Sequence, residues 1–309
     1  MIEANEKYSV LVCMATFNGE DFIQEQITSI RNQTGVFTTI VAQDDGSTDA
    51  TLEHLRFEKI KVFNKSHRNH GSCYNFISLL HKASIELDLR DYQYVALSDQ
   101  DDVWFPNKLR HAINAMTCDN SQCYSSNFQV LWGHNNVFKI GEVSKKTYNP
   151  KKMTHLFRSP GPGFTYIFST SAFKKIISDE IVQNYLSSQT PDFRWHDWLL
   201  SVLAVKNHLK WTFDQKPGAF SRIHDTNDTG LMTSKTIWKR LRFLFDGSYL
   251  SECYKMSIVS HNDDISMALL RLSVLDRLWL LKFTIHGREK LFEQIMLLLC
   301  FLFPKKINI

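Results

Sequence analysis

Tyr94-Val95-Ala96-Leu97-Ser98-Asp99-Gln100-Asp101-Asp102 carries an apolar run straight into a cluster of carboxylates. Such a run, closed by a polar turn, reads as a buried strand with its carboxyl end at the acidic residues. Two upstream stretches repeat the pattern. Tyr8 to Met14 is apolar and ends at Thr16-Phe17-Asn18-Gly19; Thr38 to Ala42 ends at Gln43-Asp44-Asp45-Gly46-Ser47-Thr48-Asp49. Ile60 to Phe63 is a further short strand. Asp21 to Asn32, Thr51 to Leu55 and Gly71 to Ala83 have helical spacing. The alternation predicts an α/β fold with a mostly parallel, doubly wound sheet. Ligands of such sheets bind beyond the carboxyl ends of the strands, and all three polar clusters fall there.

Beyond Asn107 the alternation weakens. Lys108 to Met116 and Phe193 to Val205 read as helices, Ser125 to Val130 and Phe164 to Phe168 as strands, and Ser159 to Gly163 as a loop. From about Thr233 the pattern is helical over Trp238 to Phe245, Asp264 to Phe283 and Lys290 to Phe303. The expected organisation is one α/β domain over 1–230, which the resemblance given below makes the nucleotide-sugar-binding catalytic domain, and a helical C-terminal extension over 231–309.

The 309 residues are 43% hydrophobic and 22% charged, with a formal net charge of +4. That charge does not suggest a nucleic-acid partner. No stretch reaches the roughly 20 apolar residues needed to cross a bilayer. Met1 to Lys7 has no apolar core of a secretory signal. The six cysteines form no C-x-x-C pair and are expected as reduced thiols of a cytoplasmic protein. Lys235, Lys239, Arg240 and Arg242 surround Trp238, Leu241 and Phe243 to Phe245, and Ile295 to Phe303 is followed by Lys305 and Lys306. Apolar residues beside Lys and Arg suit a helix lying in the headgroup layer of a membrane rather than spanning it, which the resemblance given below would put at the inner face of the cell membrane. Packing on the core, or on a second subunit of a homo-oligomer, is the rival reading.

Carboxylates two residues apart at a strand end suit a hard divalent cation, which takes one or two carboxylates together with phosphate oxygens. A charged turn with an N-capping Asp is the simpler alternative. Asp44 and Asp45 stand at the mouth of the sheet, with Ser47 or Thr48 as the expected cap of the helix at Thr51.

Together these motifs resemble family 2 glycosyltransferases of the GT-A fold, and within them bacterial rhamnosyltransferase-type enzymes of surface-polysaccharide assembly. The matching residues are Ala15 to Gly19, Gln43 to Asp49, Asn69-His70-Gly71 with Asn75-Phe76, Ser98 to Pro106 with Lys108-Leu109, His196-Asp197-Trp198, and His224 with Asn227 and Gly230. The resemblance implies that Thr16, Asn18, Asp44, Asp45, Asn69, Gly71, Asp99 and Gln100 hold the nucleotide-sugar. It implies that Asp101 and His224 bind Mg²⁺ or Mn²⁺. Asp197 would be the general base, in a motif that reads His196-Asp197 where the family usually has Glu-Asp.

The activity so implied is inverting transfer of a sugar, with rhamnose a candidate, from a nucleoside-diphosphate donor to a glycan or lipid-linked glycan in polysaccharide or O-antigen assembly. Two alternatives stand beside it. One is a sugar nucleotidyltransferase, although Thr16 to Asp21 lacks the Gly-rich basic loop of such enzymes. The other is a non-catalytic nucleotide-sugar-binding subunit.

Overall fold

The computed structural model describes residues 7–63, 71–134, 137–144, 153–187, 192–223, 242–285, 291–302 and 304. Strand β1 (Tyr8–Thr16) lies inside the main sheet with a strand on either side, and its side chains alternate between two cores. Leu11 and Cys13 enter one apolar cluster, while Val10, Val12 and Met14 enter the other. The period of two along a strand produces this sorting, and burial on both faces explains why the run is apolar throughout. Helix α1 (Ile23–Arg31) covers the second face with Ile23, Gln26, Ile27 and Ile30, the i, i+3, i+4, i+7 stripe of an amphipathic helix.

β1 is flanked by β2 (Val36–Asp44) and, after α2 (Thr51–Phe57), β3 (Lys61–Phe63) and α3 (Ser72–Glu86), by β4 (Tyr94–Ser98). All three pairings among β4, β1, β2 and β3 are parallel. The order of the seven-stranded sheet continues through β9 (Ile167–Ser169), β6 (Cys123–Ser126) and β10 (Trp211–Asp214), with β9 antiparallel to both neighbours. The fold is therefore α/β with a mostly parallel, doubly wound sheet.

A smaller sheet, β5 (Val103–Trp104), β11 (Ala219–Ile223), β7 (Gln129–His134) and β8 (Val137–Val143), stands beside the acidic turn. This sheet corrects the expected strand Ser125 to Val130. The run divides between the two sheets at Asn127, whose N–H donates to Asp214 O at 2.9 Å and whose side chain reaches Gln215 O and Ser144 Oγ.

After α4 (Lys108–Asp119) the first core is closed by α5 (Thr170–Ile177), α6 (Glu180–Leu186) and α7 (His196–Lys206). Helix α8 (Ser248–Val259) joins the same core. Trp198 on α7 stacks on Tyr249 of α8 with centroids 6.2 Å apart, and the Tyr249 hydroxyl donates to Phe157 O at 2.9 Å. The expected helix Asp264 to Phe283 is two helices, α9 (Asp263–Arg271) and α10 (Val274–Ile285), followed by α11 (Leu291–Leu302). The break is a capping box. Asp276 N donates to Ser273 Oγ at 3.2 Å and Ser273 N donates to Asp276 Oδ2 at 3.1 Å, while Leu272 turns left-handed at φ 47°.

Phe243, Leu244 and Phe245 pack against the first core, whereas Leu275 and Val274 on α10 are exposed. Residues 224–241 and 305–309, which hold most of the expected basic membrane contacts, lie outside the described residues. No described helix is long and apolar enough to cross a membrane.

Candidate active site

Strand register assembles the site. Thr16 pairs with Asp44, and Met14 pairs with Ser98, so three carboxyl ends finish at one edge. The loops that follow are tied together through their side chains. Asn18 sits left-handed at φ 48°, a conformation Asn tolerates. Its N–H donates to Ser47 Oγ at 2.8 Å, and its Oδ1 accepts from Thr48 N at 2.9 Å.

Asp44 is fully buried, and each of its oxygens has two donors. Oδ1 accepts from the hydroxyls of Thr16 and Ser47, and Oδ2 from the N–H groups of Gly46 and Ser47. All four lone-pair sites of the carboxylate are thereby used within the protein. Ser47 and Thr48 do not cap α2 as expected: its N-cap is Ala50, and Asp49 accepts the N–H of Thr51 at 3.0 Å. Asp45 accepts the N–H of Gly71 at 2.9 Å, and Gly71, at φ 86°, starts α3. From α3, Asn75 donates to Thr16 O and Gln43 O, joining the ends of β1 and β2. Asn69 lies outside the described residues, as does His224.

The acidic turn after β4 brings Asp99, Asp101 and Asp102 together, with one carboxylate oxygen of each within 4.8 Å of the others. Burial, then the charges of Asp101 and Asp197, pushes the Asp99 carboxyl up to about 8. Asp102 is 3% exposed, and burial holds its carboxyl well above the usual range. Its Oδ2 is buried without a hydrogen-bond partner. Three oxygen donors, one of them orphaned, fit a hard divalent cation such as Mg²⁺ or Mn²⁺.

Two cations absent from the expected site support this turn. Lys108 is 3% exposed. Its Nζ donates to Phe164 O at 2.7 Å and lies 3.4 Å from the centroid of the Trp104 ring. Burial depresses its pKa, against the opposing charges of Asp102 and Asp99. Arg222 on β11 donates from Nε to Asp101 O at 3.2 Å and pairs with Glu25 on α1. The small sheet thus has a purpose at the site: pairing of Phe220 with Val103 sets Arg222 beside the acidic turn. In the sequence, Lys108 stood in the quoted motif without a role. Arg222 lay just before the quoted His224, in a stretch to which no strand was assigned.

Asp197 lies in the first turn of α7, and its Oδ1 accepts the N–H of Trp198 at 2.8 Å. It is near enough to Asp99 for its charge to raise that carboxyl. The neighbouring His196 ring stacks on Phe76 with centroids 3.9 Å apart. Burial lowers its pKa to about 3, so the ring is neutral. Gly163 makes room for it, since a Cβ there would come within 2.0 Å of His196 Nε2.

Comparison with known proteins agrees with this geometry. The family description "Glycosyl transferase family 2" matches residues 11–182. The chain is 32% identical over 254 residues to the dTDP-rhamnosyl transferase RfbG of Shigella flexneri, covering 79% of this chain and 83% of that one. It is 25% identical over 147 residues to UDP-Glc:alpha-D-GlcNAc-diphosphoundecaprenol beta-1,3-glucosyltransferase WfgD of Escherichia coli, covering 47% and 55%. Among solved structures, S. aureus TarS 1-349 in complex with UDP-GlcNAc superposes with a TM-score of 0.52 at 16% identity, covering 94% of this chain and 79% of that one. That likeness identifies the fold as GT-A.

Proposed function

The chain belongs to glycosyl transferase family 2, and on that premise we propose that it is an inverting, metal-dependent rhamnosyltransferase of bacterial surface-polysaccharide assembly. Glycosyl transfer itself follows from the family. The donor, the acceptor and the stereochemistry are the proposal. A dTDP-rhamnose donor is supported by the likeness to RfbG across most of both chains. A lipid-linked glycan acceptor is supported by the likeness to WfgD, whose name specifies a diphosphoundecaprenol substrate.

The observation that carries the mechanism is the cluster of Asp99, Asp101 and Asp102 beyond β4, with Asp197 close enough for its charge to act on Asp99. Asp101, with Asp99 and Asp102 beside it, would hold Mg²⁺ or Mn²⁺, with His224 as a further ligand. When bound, the cation neutralises the negative charge that builds on the departing diphosphate. Asp45, Asn18, Asn69, Gly71 and Gln100 would line the donor nucleotide. Thr16 and Asp44, bonded to each other, would shape that loop from beneath. Asp197 would take the proton from the acceptor hydroxyl as its oxygen attacks the anomeric carbon from the side opposite the diphosphate. A single displacement of this kind inverts the anomeric configuration.

The catalytic unit would span 1–230, with 231–309 facing the inner membrane surface or a second copy of the chain. The exposed Met267, Leu270, Val274, Leu275 and Leu278 on α9 and α10 support such a contact.

The test is release of free nucleotide from a panel of dTDP-, UDP- and GDP-sugars, with Mn²⁺ and a lipid-linked acceptor, and the product's anomeric configuration read by NMR. Release of dTDP from dTDP-rhamnose with inverted product is expected. Preference for another donor, or retention of configuration, would overturn the proposal.

A further inference from the structure

A pocket of about 200 Å³ opens beside the start of α7, the helix that carries Asp197. Arg194, Phe243, Asp246, Ser251, Glu252 and Lys255 contribute to its wall. Arg194 stands three residues before Asp197, a separation of at most about 10 Å along the chain. The pocket and the candidate base therefore share one end of one helix.

The wall has a particular chemistry. The Arg194 guanidinium lies 5.1 Å from the Trp195 ring centroid and 4.8 Å from that of Phe243, and these two rings meet edge to face. Two aromatic surfaces fix its plane, and among the described residues no carboxylate pairs with it. The guanidinium is thereby held in one orientation at the pocket wall. Glu252 is 4% exposed and accepts from Lys255 Nζ at 2.6 Å and from Arg194 N at 3.3 Å. Asp246 accepts Ser248 N at 2.9 Å, which already supplies a carboxylate to the N-terminus of α8.

These charges select the ligand class. Arg194 and Lys255 share the wall with Asp246 and Glu252, so a phosphate would meet two carboxylates there. A neutral polyol suits the wall, because each hydroxyl both donates and accepts. The aromatic edge suits the apolar face of a sugar ring. The volume is below the roughly 300 Å³ at which sites for drug-sized ligands begin, which fits one ring of a larger glycan.

We propose that this pocket is a subsite for a sugar ring of the acceptor, holding it so that a hydroxyl of the same or the adjoining ring reaches Asp197. The assignment rests on the reading of Asp197 as the base.

The test uses the full chain and a panel of probes: the methyl glycosides of rhamnose, glucose, galactose and N-acetylglucosamine, observed by saturation-transfer NMR. dTDP with Mn²⁺ reports the donor site, and inorganic phosphate is the competitor. Ser251→Trp fills the pocket and Arg194→Ala removes its fixed donors; circular dichroism checks folding. At least one glycoside should bind wild type and weaken about fivefold or more in Arg194→Ala, as expected for loss of a hydrogen bond to a charged group. Ser251→Trp should abolish that signal, the dTDP signal should be unchanged in both variants, and phosphate should not displace the glycoside. Overturning results are no glycoside signal in wild type, equal signals in wild type and both folded variants, or displacement by phosphate. If dTDP fails to bind wild type while glycoside binding behaves as stated, the donor reading fails and the pocket assignment stands.

Discussion

The side-chain amide of Gln100 closes on the main chain of Phe17 at both ends. Phe17 N donates to Oε1 at 2.8 Å, and Nε2 donates to Phe17 O at 2.7 Å. The loops after β1 and β4 are joined by this clamp, and Gly19 lies against it. A Cβ on Gly19 would come within 2.3 Å of the amide carbon. Gly19→Ala and Gln100→Ala should therefore break the same contact. Each should cost about 1 kcal/mol, and the double variant should cost little more than either one. Thermal denaturation of the four proteins gives the cycle; strictly additive losses would show that the clamp is not shared.

Lys108→Met keeps the length of the side chain and removes its charge. The apo protein should lose stability by about 1–3 kcal/mol, because Phe164 O is left buried without its donor. The same change removes a cation that opposes a second cation at the acidic turn. Added Mn²⁺ should consequently raise the melting temperature of the variant by more than that of wild type. An equal or smaller rise would mean that Lys108 only braces the turn through Phe164 O.

Stability of the metal-free protein should depend on pH through Asp99. Its carboxyl is raised from an ordinary 3.8 to about 8. Between those values the unfolded chain has lost a proton that the folded chain retains, so stability falls as pH rises through the window. Any divalent cation must displace the same proton, so apparent Mn²⁺ affinity should increase as pH rises toward about 8. Melting curves and Mn²⁺ titrations across the window measure both. Asp99→Asn should flatten the melting trend, and an unaltered slope in that variant would assign the dependence to another group.

Asp197→Asn preserves shape and removes the proton acceptor. Turnover should fall about a hundredfold or more, the usual scale of general-base catalysis, with nucleotide binding retained. Asp101→Ala should instead abolish the Mn²⁺ response and leave the fold intact. Loss of nucleotide binding in Asp197→Asn would move that residue to the donor site.

Asp45→Ala and Asp44→Ala should separate. Asp44 satisfies four donors inside the loop, so its loss should lower the melting temperature and weaken dTDP binding together. Asp45 accepts the N–H of Gly71 at the start of α3, and as a proposed contact of the donor its loss should act mainly on dTDP affinity. Calorimetric titration and melting curves distinguish the two; matching effects at both positions would sink the division.

The central sheet was legible because burial on both faces makes β1, β2 and β4 continuous apolar runs, each ending in polar residues. The acidic turn was legible for the same reason. The small sheet was not: β5 is two residues long, and β7 and β11 carry Gln129, Ser221 and Arg222, so neither reads as an apolar strand. That is why Arg222 was missed. Lys108 was missed because a lysine at the start of a helix ordinarily faces solvent, and only the packing of Trp104 and Phe164 reveals its burial. The division of Asp264 to Phe283 was readable in principle, since Ser273-Val274-Leu275-Asp276 is a capping sequence.

The stacking of Trp198 on Tyr249 has a consequence for engineering. The helix that mounts Asp197 is wedged between α3 and α5 on one side and, on the other, a segment some fifty residues later in the chain. Exchanging C-terminal segments among related enzymes, a natural route to altered acceptor preference, would replace the wedge as well as the binding surface. A chimaera joined between 207 and 247 would inherit a tilted base along with its new specificity. Productive crossovers should keep α7 and α8 from the same parent.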